Sequence, residues 1–310
     1  MSSPVRQAVV AVLLVTASAS AQSFQRTIAG QTADNTTFCV TWGDRNYTYR
    51  VDQAGSARTP GETEFTAIDA AFLTWETVAN TCSDFRFLKG MRIANPTVGK
   101  GTENDNVVTF RETDCRDVVS PSDGCLADGS CANVHRCWDH NPATIGLTTV
   151  TYSTRTGIAV DADIELNASG FLLTTVNAPP CAVGREDVTC VAFDVQNTMT
   201  HEIGHVVGLD HVLIDSSTMA PTAPVGETSK RVIDTGTAEG FCTTYPRGQP
   251  PTPCDELAVL RSHIIARNTG TFGISCVQTA APAWPLAAFV LLLLRRPRLP
   301  LLPWRRRGSG

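Results

Sequence analysis

Between residues 158 and 167 the chain alternates, with Ile158, Val160, Ala162, Ile164 and Leu166 interleaved by Ala159, Asp161, Asp163, Glu165 and Asn167. Side chains two apart share one face of a strand, so this pattern predicts a strand with one apolar and one largely acidic face. Gly146 to Ser153 (GLTTVTYS) predicts a second strand, joined to the first through a turn at Thr154 to Gly157. A different spacing governs Glu64 to Val78, where Phe65, Ile68, Ala71, Phe72, Trp75 and Val78 recur three and four apart. That spacing predicts an amphipathic helix. A second helix is predicted over Phe193 to Val207, with Asp194 as its N-cap and Val195, Met199, Ile203 and Val206 facing the core. Shorter apolar runs at Phe38–Val40, Tyr47–Val51, Phe85–Leu88 and Val107–Phe110 are strand candidates. From Arg111 to Pro142 periodicity vanishes among Cys, Asp, Ser and Gly, which predicts a stapled loop.

The ends of the 310-residue chain change this picture. Arg6, an apolar run from Ala8 to Val15 and the exit Ala19-Ser20-Ala21 describe a secretory signal peptide over residues 1–21, leaving Gln22 first in the mature chain. A transmembrane reading of that run fails on length, since about 30 Å of hydrocarbon must be crossed. At the other end, no charge occurs between Arg267 and Arg295, and the apolar run Pro285–Leu294 is halted by Arg295, Arg296, Arg298 and Arg305 to Arg307. Apolar residues stopped by arginines fit a segment held in a membrane with its basic end inside. With Cys276 just upstream, the layout of residues 276–310 resembles the cysteine, apolar helix and arginine sorting signal of myxobacterial surface proteins. That resemblance implies processing near Cys276 and anchoring at the cell surface; a permanent tail anchor is the alternative.

Setting Cys276 aside leaves ten cysteines, an even set that fits disulfides in an exported chain. Their connectivity stays open, although Cys181 and Cys190 can close a local loop and the four from Cys115 to Cys137 can staple the insertion. Residues 22–276 carry 18 basic and 30 acidic side chains, a net charge of −12. So acidic a body argues against a nucleic-acid partner. The span 22–248 suffices for one catalytic domain, expected as a monomer, with 249–275 as a linker whose PRGQPPTPCDE stretch is rich in proline.

Residues 201–211 read HEIGHVVGLDH. His201 and His205 are four apart on the predicted helix, so both imidazoles leave one side and can reach a single ion. Gly208 can end the helix in a left-handed conformation, after which the chain can return to offer His211. Three imidazoles leave zinc one open position for water, whose pKa falls toward ~7, and Glu202 stands beside a ligand as the general base. A chance cluster on a solvated helix is the bland reading of the first five letters. Three of the chain's six histidines in one window favour the metal site.

This motif resembles the HExxHxxGxxH signature of the metzincins, and its Gly-Leu-Asp-His ending resembles the matrixins. Ser217-Thr218-Met219-Ala220-Pro221 stands where those enzymes carry a methionine turn, which implies that Met219 floors the three rings without ligating. The weaker resemblance over residues 38–246 implies an α+β, mixed fold: a twisted, mostly parallel sheet with one antiparallel edge strand, an active-site helix and the turn. It further implies a zinc endopeptidase acting on protein or peptide substrates, which align in extended form along the edge strand GLTTVTYS. A surface adhesion module with a retained structural zinc is the alternative, opposed by Glu202, since a closed site has no use for a base.

Secondary signals remain. Asp161, Asp163 and Glu165 form a solvated strand face or, alternatively, a calcium site of oxygen ligands. His135 and His140 could hold a second zinc with Cys131 and Cys137, but disulfides are the favoured reading in an exported chain. His263 is expected at the surface. Two departures from matrixin order stand out. About 16 residues separate Gln22 from the first predicted strand, too few for an inhibitory propeptide cysteine, so control must differ or be absent. The 111–142 insertion has no matrixin counterpart and could reshape the cleft.

Overall fold

Alternation, helical spacing and the stapled loop find their places around one mixed sheet. The computed structural model describes residues 24–31, 37–99, 105–254 and 271–277, the last as backbone alone. The expected leader, the cut after Ala21, His263 and the basic tail beyond Val277 lie outside the described residues. In chain order the strands of the main sheet are β1 (Thr41–Trp42), β2 (Asn46–Val51), β3 (Arg86–Lys89), β4 (Val107–Phe110), β5 (Thr144–Tyr152), β6 (Ile158–Leu166) and β7 (Thr271–Val277). Across the sheet they run β7-β5-β6-β4-β2-β3, with β1 beside the start of β6. Pairings from β6 through β4 and β2 to β3 are parallel, whereas β5 is antiparallel to β6. This is the mostly parallel sheet with an antiparallel flank that the sequence led us to expect.

Three helices matter for the site: α1 (Thr63–Cys82), α2 (Val195–Val206) and α3 (Thr235–Thr244). Helix α1 buries Phe65, Ile68, Ala71, Phe72, Trp75 and Ala79, the predicted stripe except that Val78 at its end is half-buried and Ala79 lies fully inside. They join Ala162, Ile164 and Leu166 from β6 and Val195, Met199, Ile203 and Val206 from α2 in one core. Burying several such large side chains, each worth about 1.5–3 kcal/mol, fixes both helices on one face of the sheet.

The other face corrects an expectation. Asp161, Asp163 and Glu165 are buried, while the strand's opening apolar residues Ile158 and Val160 are exposed. The acidic face is therefore not solvated. It lies under the Cys-rich insertion and the segment before it, which supply polar partners. Arg111 Nε donates to Glu165 Oε1 at 2.6 Å, His140 Nε2 lies 3.1 Å from Glu165 Oε2, and Asp163 accepts from the amides of Gly99 and Val107. Burial and the neighbouring Asp161 together hold the Asp163 carboxyl well above its ordinary value. Among the described residues these three carboxylates do not gather as a metal-binding group.

All ten candidate cysteines pair, as Cys39–Cys254, Cys82–Cys242, Cys115–Cys137, Cys125–Cys131 and Cys181–Cys190. The second-zinc reading of the insertion loses its thiolates, because Cys131 and Cys137 are both bonded elsewhere. His135 instead lies 2.9 Å from Asp123, whose group also includes the disulfide-bonded Cys125.

The expected linker is also partly structured. Thr252 and Pro253 accept hydrogen bonds from Arg26, Cys254 is tied to Cys39, and residues 271–277 are β7. Strands at Gln25–Arg26 and Ile28–Gln31, unforeseen in the sequence, pair with Leu209–Asp210 and Thr37–Cys39. Both are too short to show a period.

The Arg111–Glu165 pair is 1% and 2% exposed, so removing one partner strands a buried charge. Arg111→Met is expected to lower unfolding stability by about 3–5 kcal/mol. Urea unfolding followed by tryptophan fluorescence tests this, and a loss under about 1 kcal/mol would refute the pair's buried role.

Candidate metal centre

Helix α2 starts where Asp194 Oδ1 accepts from the Asn197 amide at 2.7 Å, the predicted N-cap. The same carboxylate is held by Arg231, whose Nε donates at 2.7 Å and whose Nη2 also contacts it. Two tryptophans then lock the helix into the core. Trp75 Nε1 donates to Thr200 O at 2.8 Å and Trp42 Nε1 to Val206 O at 2.7 Å, the latter satisfying a carbonyl the helix end leaves free. Gly208 has φ 84, and a Cβ there would stand 2.3 Å from Val40 O, so no other residue fits this exit without strain.

That exit returns His211 to the helix. The three Nε2 atoms stand 3.1 Å (His201–His205), 3.1 Å (His205–His211) and 3.2 Å (His201–His211) apart. Tautomers follow from the other ring nitrogens: Nδ1 of His201 lies 2.6 Å from Thr218 O, and Nδ1 of His205 lies 2.9 Å from Leu209 O. A carbonyl can only accept, so both Nδ1 atoms carry the proton and both Nε2 atoms are bare. Two bare nitrogens 3.1 Å apart repel unless a cation lies between them. A tetrahedral zinc with bonds of ~2.0–2.1 Å would space its ligand nitrogens by ~3.3 Å, close to this triangle. The donor set fits zinc.

The rings are also electrostatically prepared. Burial, followed by the neighbouring imidazoles, holds His201 and His205 well below their ordinary value. Burial and then the Lys230 ammonium bring His211 down to about 4. All three are therefore neutral at neutral pH, the form that binds metal.

Glu202 is buried on the same helix, and Thr148 Oγ1 of β5 donates to its Oε2 at 2.7 Å. Met219 packs against Gly204, where a Cβ would come within 2.3 Å of its Sδ. The methionine thus lies against the stretch of helix between the two histidines. The turn that carries it is held by Asp234, which accepts from Thr218 N at 2.7 Å and Ser217 Oγ at 3.1 Å while capping α3. So Asp234, through Thr218, supports the carbonyl that orients His201.

The structure therefore brings together His201, Glu202, His205, His211 and Met219. Thr148, Asp234 and the buried Lys230 escaped the sequence reading. An Asp before Thr-Gly-Thr does signal a helix cap at Asp234, but its grip on the methionine turn has no sequence mark. Lys230 is silent in sequence: its ammonium donates to Thr222 O and Glu227 Oε2 from a buried position.

A mixed sheet backed by helices, with two imidazoles on one helix and a third returned to them by the chain beyond it, is the arrangement of a zinc metallopeptidase. The matrixin family model matches residues 41–245, and the chain belongs to that family, whose members bind catalytic zinc. No curated protein matches the chain.

Burial alone would raise the Asp234 carboxyl, but hydrogen bonds from Thr237 and Thr218 draw it below its ordinary value. A carboxyl depressed on folding stabilises above its unfolded pKa of about 3.9, and that contribution fades as pH falls through the lower folded value. Asp234→Asn is expected to lose about 1–3 kcal/mol at pH 7 and to narrow its deficit against wild type below about pH 4. Urea midpoints measured from pH 3 to 7 would show this, whereas a deficit independent of pH would contradict it.

Proposed function

We propose that this chain is an exported zinc-dependent endopeptidase that cleaves internal peptide bonds, with His201, His205 and His211 as metal ligands and Glu202 as general base. The observation that carries this reading is the pair of carbonyl-anchored imidazoles whose bare nitrogens face each other at 3.1 Å, with Glu202 next in the helix. When bound, zinc supplies a Lewis acid for the scissile carbonyl and makes its water acidic enough to ionise near neutral pH. Glu202 takes the proton of the attacking water and passes it to the leaving amine. Thr148 donates to one oxygen of that carboxylate and so helps fix its position on the helix. No covalent acyl intermediate is required.

Five disulfides support export to an oxidising compartment. The tail after Cys276 supports retention at a cell surface, where its sorting machinery would be a partner. In this reading β5 presents the edge along which a protein substrate lies extended. Main-chain hydrogen bonding to a strand edge tolerates many side chains, which suits protein substrates.

Glu202→Ala is expected to keep one zinc per chain and lose about 10²–10⁴-fold in kcat/KM on casein. Metal analysis and digestion in parallel decide it. Wild-type digestion by a zinc-loaded variant would exclude Glu202 as the base, and wild-type digestion undiminished by chelator would exclude zinc.

A further inference from the structure

Strand β7 occupies the very edge that the proposed function assigns to substrate. Its register runs from Thr271 opposite Thr151, through Phe272–Val150, Gly273–Thr149, Ile274–Thr148 and Ser275–Leu147, to Val277 opposite Thr144. Nearly the whole of β5 is covered. Ile274 stands opposite Thr148, the residue that holds Glu202. The strand also passes close to α2, which carries His201 and His205. It therefore lies beside the metal-binding helix, where an extended peptide would have to lie to reach it.

A strand edge has one row of amides and carbonyls, and two strands cannot use it at once. Residues 255–270 join Cys254 covalently to β7, and Cys254 is itself fastened to Cys39. A segment on so short a connection competes as if present at millimolar concentration, so a free peptide binding only through its main chain is at a disadvantage. The segment TFGISCV carries no charge, so nothing opposes its lying along an acidic body.

We propose that residues 271–277 are an autoinhibitory strand, which keeps the intact chain blocked until the strand leaves β5. The inference rests on β5 being the substrate edge. It gives the chain a means of control within its own C-terminal part, whose release removes the block without any change in the metal ligands.

The test uses the full chain, zinc-loaded, with Gly273→Pro and Ile274→Pro together. Successive amides of a strand point to opposite sides, so one of the two prolines removes a hydrogen bond to β5 whichever way the strand faces. A second full-chain variant carries a site-specific protease sequence at residues 259–264 and is cut after folding, which removes the covalent connection without relying on prolines. Both are compared with wild type for casein cleavage. Anisotropy then measures binding of a fluorescent TFGISSV peptide, in which serine replaces cysteine to prevent disulfide exchange.

Expected are a gain of about tenfold or more in kcat/KM, carried mainly by KM, and peptide binding by both variants but not by wild type. Equal cleavage by all three proteins overturns the proposal. So does peptide binding to all of them or to none. If nothing cleaves casein yet the peptide binds only the released forms, β7 still covers a peptide-binding edge, but the peptidase reading falls and the inhibitory role falls with it.

Discussion

Two unprotonated ring nitrogens held 3.1 Å apart repel each other, and the protein must enforce that arrangement before any cation relieves it. The enforcement comes from behind the rings. Thr218 O and Leu209 O fix the far nitrogens of His201 and His205, and each carbonyl belongs to a chain segment fixed in turn. Thr218 is held by Asp234, and Leu209 follows the one residue, Gly208, that can make the left-handed exit against Val40. A neutral hydrogen bond contributes only about 1 kcal/mol net, so single contacts could not hold such a site. Its rigidity comes from connection: helix cap, tryptophan donors, methionine turn and core packing all act on α2.

The same logic explains the acidic strand. Helices cover one face of the sheet, and the insertion covers the other, so from Asp161 to Leu166 the acidic and the apolar side chains are both buried. Buried carboxylates persist where hydrogen-bond donors and cations meet them, and Arg111, His140 and the amides of Gly99 and Val107 do so here. Nested disulfides, Cys115–Cys137 around Cys125–Cys131, hold together a segment with few apolar residues of its own. The insertion is thus a polar lid on the sheet rather than a second metal module. Glu165 pairs across the sheet with Leu147 of β5, so the strand the insertion covers is also the one that supports the edge beside Glu202.

What could be known without coordinates is local in origin. Helical spacing placed α1 and α2, alternation placed β6, the Asp194 cap marked where α2 begins, and HEIGHVVGLDH named the converging rings. Each rests on residues close in sequence, whose relation is set by 3.6-residue and two-residue periods or by a tight turn. The even cysteine count likewise announced complete pairing, and two of the local closures were visible in it.

What the tertiary structure alone decided involves partners far apart in sequence. Alternation shows that Asp161, Asp163 and Glu165 share a face, but whether water or an insertion meets that face depends on chain about 50 residues upstream. Cys82–Cys242 and Cys39–Cys254 span 160 and 215 residues, beyond any spacing rule. Asp234 supporting Thr218, and β7 lying on β5, depend on which surfaces meet when the chain closes. A strand edge offers the same backbone groups to any partner, and three-dimensional proximity selects the one that takes them.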